Sequence, residues 1–199
     1  MRLLRPPVRA RDPCRGSRSC PARLGRRPAG PDRKARRASG DPLILRPLTE
    51  ADRAPLAELW FEGWTVAHAA ICPPELVALR SRDDFRRRID ADPASFLVTG
   101  PPGAPEGFVR IVGAELDQVY VAPDRMGTGL AAPMMAAAEA EMAARGIRDA
   151  HLIATLGNDR AARFYERQGW RDTGIRRVEV GTSAGPFALD VRRFEKRLA

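Results

Sequence analysis

The chain has 199 residues, of which 44% are hydrophobic and 30% are charged, and its formal net charge is +9. This length suits one ordinary globular domain with additional residues. No apolar run approaches the roughly 18 residues that a membrane helix needs, so the composition excludes a membrane-spanning helix.

The positive charge is concentrated in one stretch of the chain. Residues 1–40 hold 13 of the 34 basic residues and two of the 25 acidic ones, which leaves 21 basic and 23 acidic side chains elsewhere. The same stretch has six prolines, four glycines and no strand or helix periodicity. It cannot bury enough apolar surface to offset the entropy of ordering. We therefore expect a disordered Arg/Pro-rich tail over residues 1–40 and one folded domain over residues 41–199.

The arginine-rich stretch also admits functional interpretations. A cationic tail could bind nucleic acid or an acidic surface, or act as an organelle transit peptide, although its prolines argue against the amphipathic helix that a transit peptide needs. Outside the tail the near-neutral charge makes nucleic-acid binding unlikely. Two of the three cysteines, Cys14 and Cys20, lie in the tail and Cys72 stands alone, so neither a disulfide framework nor a metal site is indicated. No apolar secretion signal is visible, and the expected location is cytoplasmic.

The first part of the domain has mostly helical patterns. Residues 43–46 suggest a strand. Thr49 can cap a turn, and Asp52 can then cap a helix that has Pro55 in its first turn, where a missing N–H costs little. Four apolar residues follow at helical spacing, namely Leu56, Leu59, Trp60 and Trp64. Residues 75–79 and 84–89 predict two further short helices.

The middle and the end of the domain alternate between strand and helix patterns. An antiparallel meander of three strands is predicted at residues 96–99, 107–112 and 116–121. It is followed by a glycine-bearing loop at 124–129, a helix to about Arg145, a strand at 150–155, a helix at 159–168, and strands at 175–180 and 187–193. Strands followed by this β-loop-α-β-α-β order indicate an α+β domain with a mixed sheet.

Two motifs point to chemistry. The first, Val121-Ala-Pro-Asp-Arg-Met-Gly-Thr-Gly-Leu-Ala131, leads from a strand through two glycines into a helix. Glycines let the backbone approach a ligand closely, and the first N–H groups of a helix are a ready anion site that suits a pyrophosphate. A plain strand-to-helix turn would have the same appearance. The sequence lacks both the Gly-Lys-Ser/Thr of a P-loop and the Gly-x-Gly-x-x-Gly of a dinucleotide fold.

The second motif lies about thirty residues further on, at residues 158–170. Ala161, Phe164 and Tyr165 share one helix face, Gly169 can end the helix, and Trp170 opens the next strand. Two aromatic residues that pack a helix onto a sheet are the simpler interpretation. A tyrosine hydroxyl can also donate a proton, which phenylalanine cannot.

Together the two motifs resemble the GNAT superfamily of acetyl-coenzyme A-dependent N-acetyltransferases. Val121-x-Pro123 followed by Gly127-x-Gly129-x-Ala131 looks like the pyrophosphate loop of that family. Asn158-x-x-Ala161-x-x-Phe164-Tyr165-x-x-x-Gly169-Trp170 looks like its second conserved segment. The resemblance covers about residues 43–194. It implies a mixed, mostly antiparallel central sheet flanked by helices and splayed between the fourth and fifth strands.

The resemblance also implies a site and a reaction. It assigns acetyl-CoA as co-substrate, with no metal, and direct attack of a primary amine of a small molecule or peptide on the thioester. The implied cofactor-binding residues are Val121, Met126, Gly127, Thr128, Gly129, Leu130, Ala131, Asn158, Ala161 and Phe164. Met126 stands where the family usually has Arg or Gln, with Arg125 beside it. Because backbone amides supply most of the phosphate contacts in such loops, we expect binding to survive that change.

Three residues are implied as catalytic. Tyr165 matches the usual proton donor to the departing thiolate, and a backbone N–H near Val121 is a candidate for the oxyanion contact. Some relatives place a glutamate on the strand before the second motif, but this chain has no carboxylate there. Glu115 and Asp117 are the candidate bases, directly or through water, although they could equally be solvated charges at a strand start.

Other residues and functions are weaker candidates. His68 ends the helix that borders the acceptor pocket in relatives, whereas His151 is expected to be structural, and Trp60 and Trp64 to be core or pocket wall. Two alternatives to the enzyme are a nucleic-acid-associated protein that uses the basic tail, and a non-catalytic acetyl-CoA-binding sensor domain. The sequence leaves the acceptor amine and the oligomeric state open.

Overall fold

A computed structural model describes residues 43–182 and 184–199. Residues 1–40 lie outside this part of the chain, so the disordered tail and the domain boundary at residue 41 stay predictions. The described strands are β1 (Arg46–Pro47), β2 (Phe96–Thr99), β3 (Gly107–Val112), β4 (Glu115–Val121), β5 (Asp149–Thr155), β6 (Arg171–Thr182) and β7 (Gly185–Arg197). The described helices are α1 (Arg53–His68), α2 (Pro74–Leu79), α3 (Arg82–Ala91), α4 (Ala131–Ala144) and α5 (Asp159–Arg167). None of them is long and apolar enough to cross a membrane.

The strands form one twisted sheet in the order β1-β2-β3-β4-β5-β7-β6. Every neighbouring pair is antiparallel except β4 and β5, which are parallel and are joined through α4. Parallel strands need such a crossover because a tight turn can only join antiparallel neighbours. The predicted α+β fold with a mixed, mostly antiparallel sheet is confirmed.

The ends of the sheet differ from the sequence prediction. The predicted strand at 43–46 is wrong in its bounds, because only Arg46 and Pro47 pair with β2. Ile44 is 68% exposed, while Leu43 packs against the core without pairing. At the other end β6 and β7 extend well beyond the predicted segments because they pair with each other along a long hairpin. Many residues of β6 are exposed and polar, so its hydrophobic alternation is too weak to show its length.

Each face of the sheet buries its own core. On the face that we call the α4 face, Met134, Met135, Ala138 and Met142 of α4 pack against strand residues that include Val109 and Phe194. On the opposite face, which we call the α1 face, Trp60 is the centre of an aromatic cluster. Its ring centroid lies 4.8 Å from Phe85, 5.6 Å from Phe96 and 5.4 Å from Phe108. The predicted apolar face of α1 is confirmed.

A buried carboxylate fixes the start of the domain. Asp52 is fully buried and accepts two hydrogen bonds from the Arg46 guanidinium, at 2.6 and 2.8 Å. It also accepts from the N–H and the hydroxyl of Thr49 and from the N–H of Gly103. Asp52 occupies the predicted N-cap position of α1, but its side chain makes no hydrogen bond to the helix. It connects β1, the turn before α1 and the loop between β2 and β3.

We predict that Asp52→Ala lowers the free energy of unfolding by about 3–5 kcal/mol, because it leaves the Arg46 guanidinium and three other donors without their acceptor. Its many hydrogen bonds, those from Arg46 first, hold the pKa of Asp52 far below its usual range. The carboxylate therefore stabilises the fold above pH 4 or so, and the deficit of the variant should narrow as the pH falls below that value. Urea denaturation at several pH values measures both effects. Glu50→Ala is the control, because Glu50 lies in the same turn but is 79% exposed, and its loss should cost less than about 1 kcal/mol.

Candidate active site

A cavity of about 1030 Å³ lies at the place where β4 and β5 separate. Its wall is formed by residues of all five described helices, of strands β3 to β7 and of the loop before α4. Ligand cavities in proteins commonly measure 300–1,000 Å³, so this one is large enough for more than one small molecule. It runs through the sheet and is open to groups from both faces.

The separation of β4 and β5 leaves backbone groups without partners in the sheet. The two strands share a single ladder pair, Glu115 with His151, in the described residues. Ala122 N–H donates to the carbonyl of Glu106, the residue before β3. Hydrogen-bonded and non-hydrogen-bonded pairs alternate along an antiparallel ladder, so the adjacent pair, Gly107 with Val121, is not hydrogen-bonded. The N–H and C=O groups of Val121 therefore point away from β3 and toward the opening. This is the backbone N–H for which an oxyanion role is predicted.

The loop between β4 and α4 has the geometry of an anion site. Gly127 and Gly129 have φ values of +76° and +89°, which only glycine adopts without strain. A side chain at either position would meet nothing within 4 Å, so the backbone there is open to a ligand. The helix starts at Ala131, and its first N–H groups have no partner inside the helix. Pro133 is the third helical residue, within the first turn as its missing N–H requires.

The side chains of this loop are arranged around the backbone. Arg125 binds Glu106, with 2.7 Å between Nη2 and Oε1. The Thr128 hydroxyl donates to the Arg125 carbonyl at 2.7 Å. Thr128 does not line the cavity, whereas Met126 does. The Thr128 hydroxyl is thus engaged within the loop.

The second motif forms one wall of the cavity. The Asn158 side chain accepts a hydrogen bond from Ala161 N–H at 3.1 Å and so caps α5. Phe164 and Tyr165 both line the cavity, and the Tyr165 ring packs on Phe194 with centroids 5.6 Å apart. Burial raises the pKa of the Tyr165 phenol to about 12. Its hydroxyl is therefore protonated throughout the neutral range and can donate a hydrogen bond.

A β-bulge in β4 decides which way its acidic residues face. Arg110 pairs with Gln118 and Ile111 with Leu116, so Asp117 is an extra residue in β4. The bulge returns Leu116 to the α4 face and leaves Asp117 on the α1 face, where it accepts a 2.7 Å hydrogen bond from Arg110. The Arg110 guanidinium itself lies 5.4 Å from the centre of the Phe96 ring. Asp117 is thus on the cavity wall but already paired.

Glu115 differs from Asp117 because no arginine among the described residues binds it. Burial raises its pKa, the Asp117 charge raises it further, and Arg193 and Arg110 oppose the shift. The nearest titratable partner is His151, whose Nε2 lies 3.9 Å from the Glu115 carboxylate. Burial lowers the pKa of His151, so at neutral pH the imidazole is uncharged. Of the two carboxylates, Glu115 is the one that is free to accept a proton.

The structure brings twelve of the thirteen predicted site residues to one cavity. They are Glu115, Asp117, Val121, Met126, Gly127, Gly129, Leu130, Ala131, Asn158, Ala161, Phe164 and Tyr165. His68 and Trp64 also line the cavity, whereas Trp60 is fully buried core. The His68 ring is stacked on Trp64, and burial lowers its pKa.

Several cavity-lining residues were not predicted from the sequence, among them Arg80, Arg88, Arg110, Tyr120 and His151. His151 was expected to be structural, yet it lies on the wall beside Glu115. Tyr120 packs so closely on α1 that a side chain at Gly63 would lie 2.7 Å from its ring. The signal for Tyr120 was its alternation with Val119 and Val121, which places it on the opposite face. No local pattern marks Arg88, because α3 contains several arginines.

Comparisons with known proteins agree with this geometry. Residues 58–170 match the family model described as Acetyltransferase (GNAT) family. The chain belongs to the GNAT acetyltransferase family. Family membership makes it an acyltransferase, as the two motifs predicted. No curated protein sequence matches the chain.

Solved structures of other N-acetyltransferases share the fold. A GCN5-related N-acetyltransferase from Rhodopseudomonas palustris is 23% identical over 79% of this chain and 97% of that chain, with a TM-score of 0.60. The putative acetyltransferase YncA from Salmonella typhimurium, solved with acetyl-CoA, is 20% identical over 79% and 94% of the two chains, with a TM-score of 0.56. The PaiA N-acetyltransferase from Thermoplasma acidophilum, solved with coenzyme A, is 19% identical over 77% and 99%, with a TM-score of 0.52. At these identities the likeness establishes the fold of the GNAT domain.

Proposed function

We propose that the domain binds acetyl-CoA across the opening between β4 and β5 and transfers the acetyl group to a primary amine held on the α1 face. The observation that carries this proposal is the single ladder pair between β4 and β5, with the glycine loop on one side of the opening and Tyr165 on the other. The residues fit the co-substrate. The loop offers backbone amides to a pyrophosphate, and Val121 offers unpaired peptide groups to an amide-bearing arm.

Positioning supplies much of the rate. The co-substrate carries an activated acetyl thioester, and the overall reaction forms a C–N bond, breaks a C–S bond and releases coenzyme A thiol and a proton. Holding the amine and the acetyl carbon together in one cavity makes the attack effectively intramolecular. The domain then has three remaining tasks, which are to accept the proton of the amine, to stabilise the oxyanion and to stabilise the departing sulfur.

Glu115 accepts the amine proton, directly or through one water. Its raised pKa makes it a stronger base than an exposed carboxylate. His151, beside it, remains neutral and can share the proton. Asp117 is a poorer base because its carboxylate is held by Arg110.

Tyr165 stabilises the departing sulfur by a hydrogen bond. A phenol of pKa about 12 is a weaker acid than an ordinary thiol of pKa about 8.5. Complete proton transfer to the thiolate would therefore be uphill by about 5 kcal/mol. The sulfur can take its proton from the far more acidic ammonium of the tetrahedral intermediate, while Tyr165 O–H stays in place. This refines the predicted role of Tyr165 from proton donor to hydrogen-bond donor.

The direct test of the proposal is acetyl-CoA-dependent thiol release by the full chain with a panel of primary amines. Release that depends on both the amine and the protein supports the acetyltransferase. Tight acetyl-CoA binding without release for any amine class would instead support the sensor alternative.

We predict that Gly129→Val weakens coenzyme A binding by about 10²-fold, because displaced phosphates lose charge-assisted hydrogen bonds that contribute about 1.5–3 kcal/mol each. Isothermal calorimetry measures the affinity. Gly146→Val is the matched control, because Gly146 also has a positive φ, +82°, and open space around it, but lies at the other end of α4. Both variants introduce similar backbone strain, so equal coenzyme A affinities in the two would contradict the assignment of this loop as the phosphate site.

We predict that Tyr165→Phe leaves coenzyme A affinity and folding unchanged and lowers kcat by about 10²-fold, because it removes only the hydroxyl. Steady-state kinetics with saturating acetyl-CoA measures the loss, which should shrink with an acyl donor whose thiol is more acidic. Tyr120→Phe is the matched comparison, since Tyr120 is the other phenol on the wall. Full activity in Tyr165→Phe together with a loss in Tyr120→Phe would transfer the role to Tyr120.

We predict that Glu115→Gln lowers kcat/KM most at low pH, with a defect that shrinks as the pH approaches the pKa of the amine, near 10. The raised pKa means that folding favours the protonated carboxyl, a contribution that is lost as the pH rises through that pKa. Glu115→Gln should therefore melt at or above the parent temperature at pH 7.

Asp117→Asn tests whether Asp117 or Glu115 acts as the base. Because the Asp117 charge raises the pKa of Glu115, its removal should shift the acid limb of the pH–rate profile downward without flattening it. It should also lower the melting temperature, since it breaks the 2.7 Å pair with Arg110. Parent-like profiles in both variants would contradict a side-chain base.

A further inference from the structure

On the α1 face the cavity wall contains three arginines that differ in how their charges are balanced. Arg80, Arg88 and Arg110 line this part of the wall. Arg110 binds Asp117 and Asp92, at 2.7 and 3.3 Å. Asp117 and Asp92 are therefore already paired with Arg110.

Arg80 is almost fully buried and only partly satisfied. One of its terminal nitrogens donates to Asp84 at 2.9 Å and to the Gly181 carbonyl at 2.9 Å. Its Nε is buried and has no hydrogen-bond partner in the described residues. The guanidinium thus retains donor capacity inside the cavity wall.

Arg88 differs from both because no carboxylate contacts it directly in the described part of the chain, and the charges of Asp117 and Asp84 act on it only at longer range. It extends from α3, and its guanidinium carbon lies 4.4 Å from the centre of the Trp60 ring. No ion pair or hydrogen bond joins it to a described residue, although it lines the cavity. Burial, followed by the charge of Arg80, lowers its pKa to about 10, so it remains cationic at neutral pH. Arg88 is half-buried and lines the cavity, so an anion bound there pairs with a charge that is only partly solvated.

The remaining carboxylates on this wall are Glu115 and Glu179. Glu179 is exposed on β6, at the rim. Glu115 is the inner one and is the proposed base. The wall therefore offers one carboxylate to an amine and an unpaired guanidinium to an anion.

We propose that the acceptor is a primary amine that carries a carboxylate, an amino-acid-like substrate whose carboxylate binds the Arg88 guanidinium while its amine faces Glu115. The inference rests on the proposed function and narrows its substrate class. A guanidinium presents a planar fork that matches a carboxylate in two parallel hydrogen bonds, and stacking on Trp60 fixes the plane of that fork. A polyamine is disfavoured at this position, because its second ammonium would lie beside the like charge of Arg88.

The experiment compares acceptors that share one amine but differ in the anion. The full chain is assayed for thiol release with the twenty amino acids. For the best of them it is then assayed with its carboxamide, the decarboxylated amine and the aminophosphonate, and with spermidine. We expect kcat/KM for the amino acid to exceed that for the carboxamide by about 10²-fold, the effect of one desolvated charge pair. A higher kcat/KM for the aminophosphonate than for the amino acid would still support an anion site at Arg88, but would make a phosphonate and not a carboxylate its ligand. Equal or better turnover of the carboxamide or of spermidine would overturn the inference and leave the acetyltransferase standing.

Variants of α3 assign the effect to Arg88. Arg88→Met places an uncharged side chain beside Trp60, so kcat/KM for the amino acid should fall by about 10²-fold while that for the carboxamide stays the same. Arg88→Lys keeps the charge but loses the planar fork, so its kcat/KM for the amino acid should lie between those of the parent and of Arg88→Met. Arg87→Met is the control, because Arg87 is the exposed neighbour on the same helix. An unchanged acid-to-amide ratio in Arg88→Met would overturn the assignment.

A binding measurement separates this inference from the reaction. Amino acids and their carboxamides are titrated into the chain saturated with coenzyme A, and heat is recorded without turnover. Arg88-dependent binding of the amino acid without acetylation would support the anion site and contradict the proposed reaction. Absence of both binding and turnover would contradict both.

Discussion

The separation of β4 from β5 after one ladder pair is the feature on which the rest of the site depends. In an otherwise antiparallel sheet these are the two parallel neighbours, and α4 must cross from the end of one to the start of the other. The crossover places a helix N-terminus at the mouth of the gap, next to strand peptide groups that lack a sheet partner. An anion site and an unpaired strand edge are thus produced by one topological choice.

The two faces of the sheet have different roles. The α4 face is closed by methionines and holds the helix that presents the glycine loop, while the α1 face carries the aromatic cluster and the charged wall. The bulge at Asp117 connects the two, since it lets Leu116 join one core while Asp117 faces the other side. A one-residue register change reverses which side chains face a core, so this bulge determines which acids reach the cavity.

The arginines that line the cavity on the α1 face differ in what holds each guanidinium in place. Arg110 has the half-buried Asp117 at 2.7 Å, and Arg80 has the buried Asp84 at 2.9 Å. Arg88 rests on an aromatic ring instead of an acid. A ring supports a guanidinium without neutralising it, so the field of Arg88 remains available to a ligand. The same helix thus contributes both to the hydrophobic core, through Phe85, and to the chemistry of the cavity.

Local sequence determined most of the helices and strands, the family and the two motifs that line the cavity. Apolar spacing located α1, glycines located the loop, and Ala161, Phe164 and Tyr165 shared a face because a helix repeats every 3.6 residues. The tertiary structure decided what local patterns do not contain: the short β1, the long hairpin of β6 and β7, the bulge, and the partners of each charge. Asp117 and Glu115 look alike in the sequence, yet only Asp117 meets an arginine, which comes from the neighbouring strand. Arg87 and Arg88 are adjacent arginines on one helix, but a single 100° step turns one to solvent and the other into the cavity.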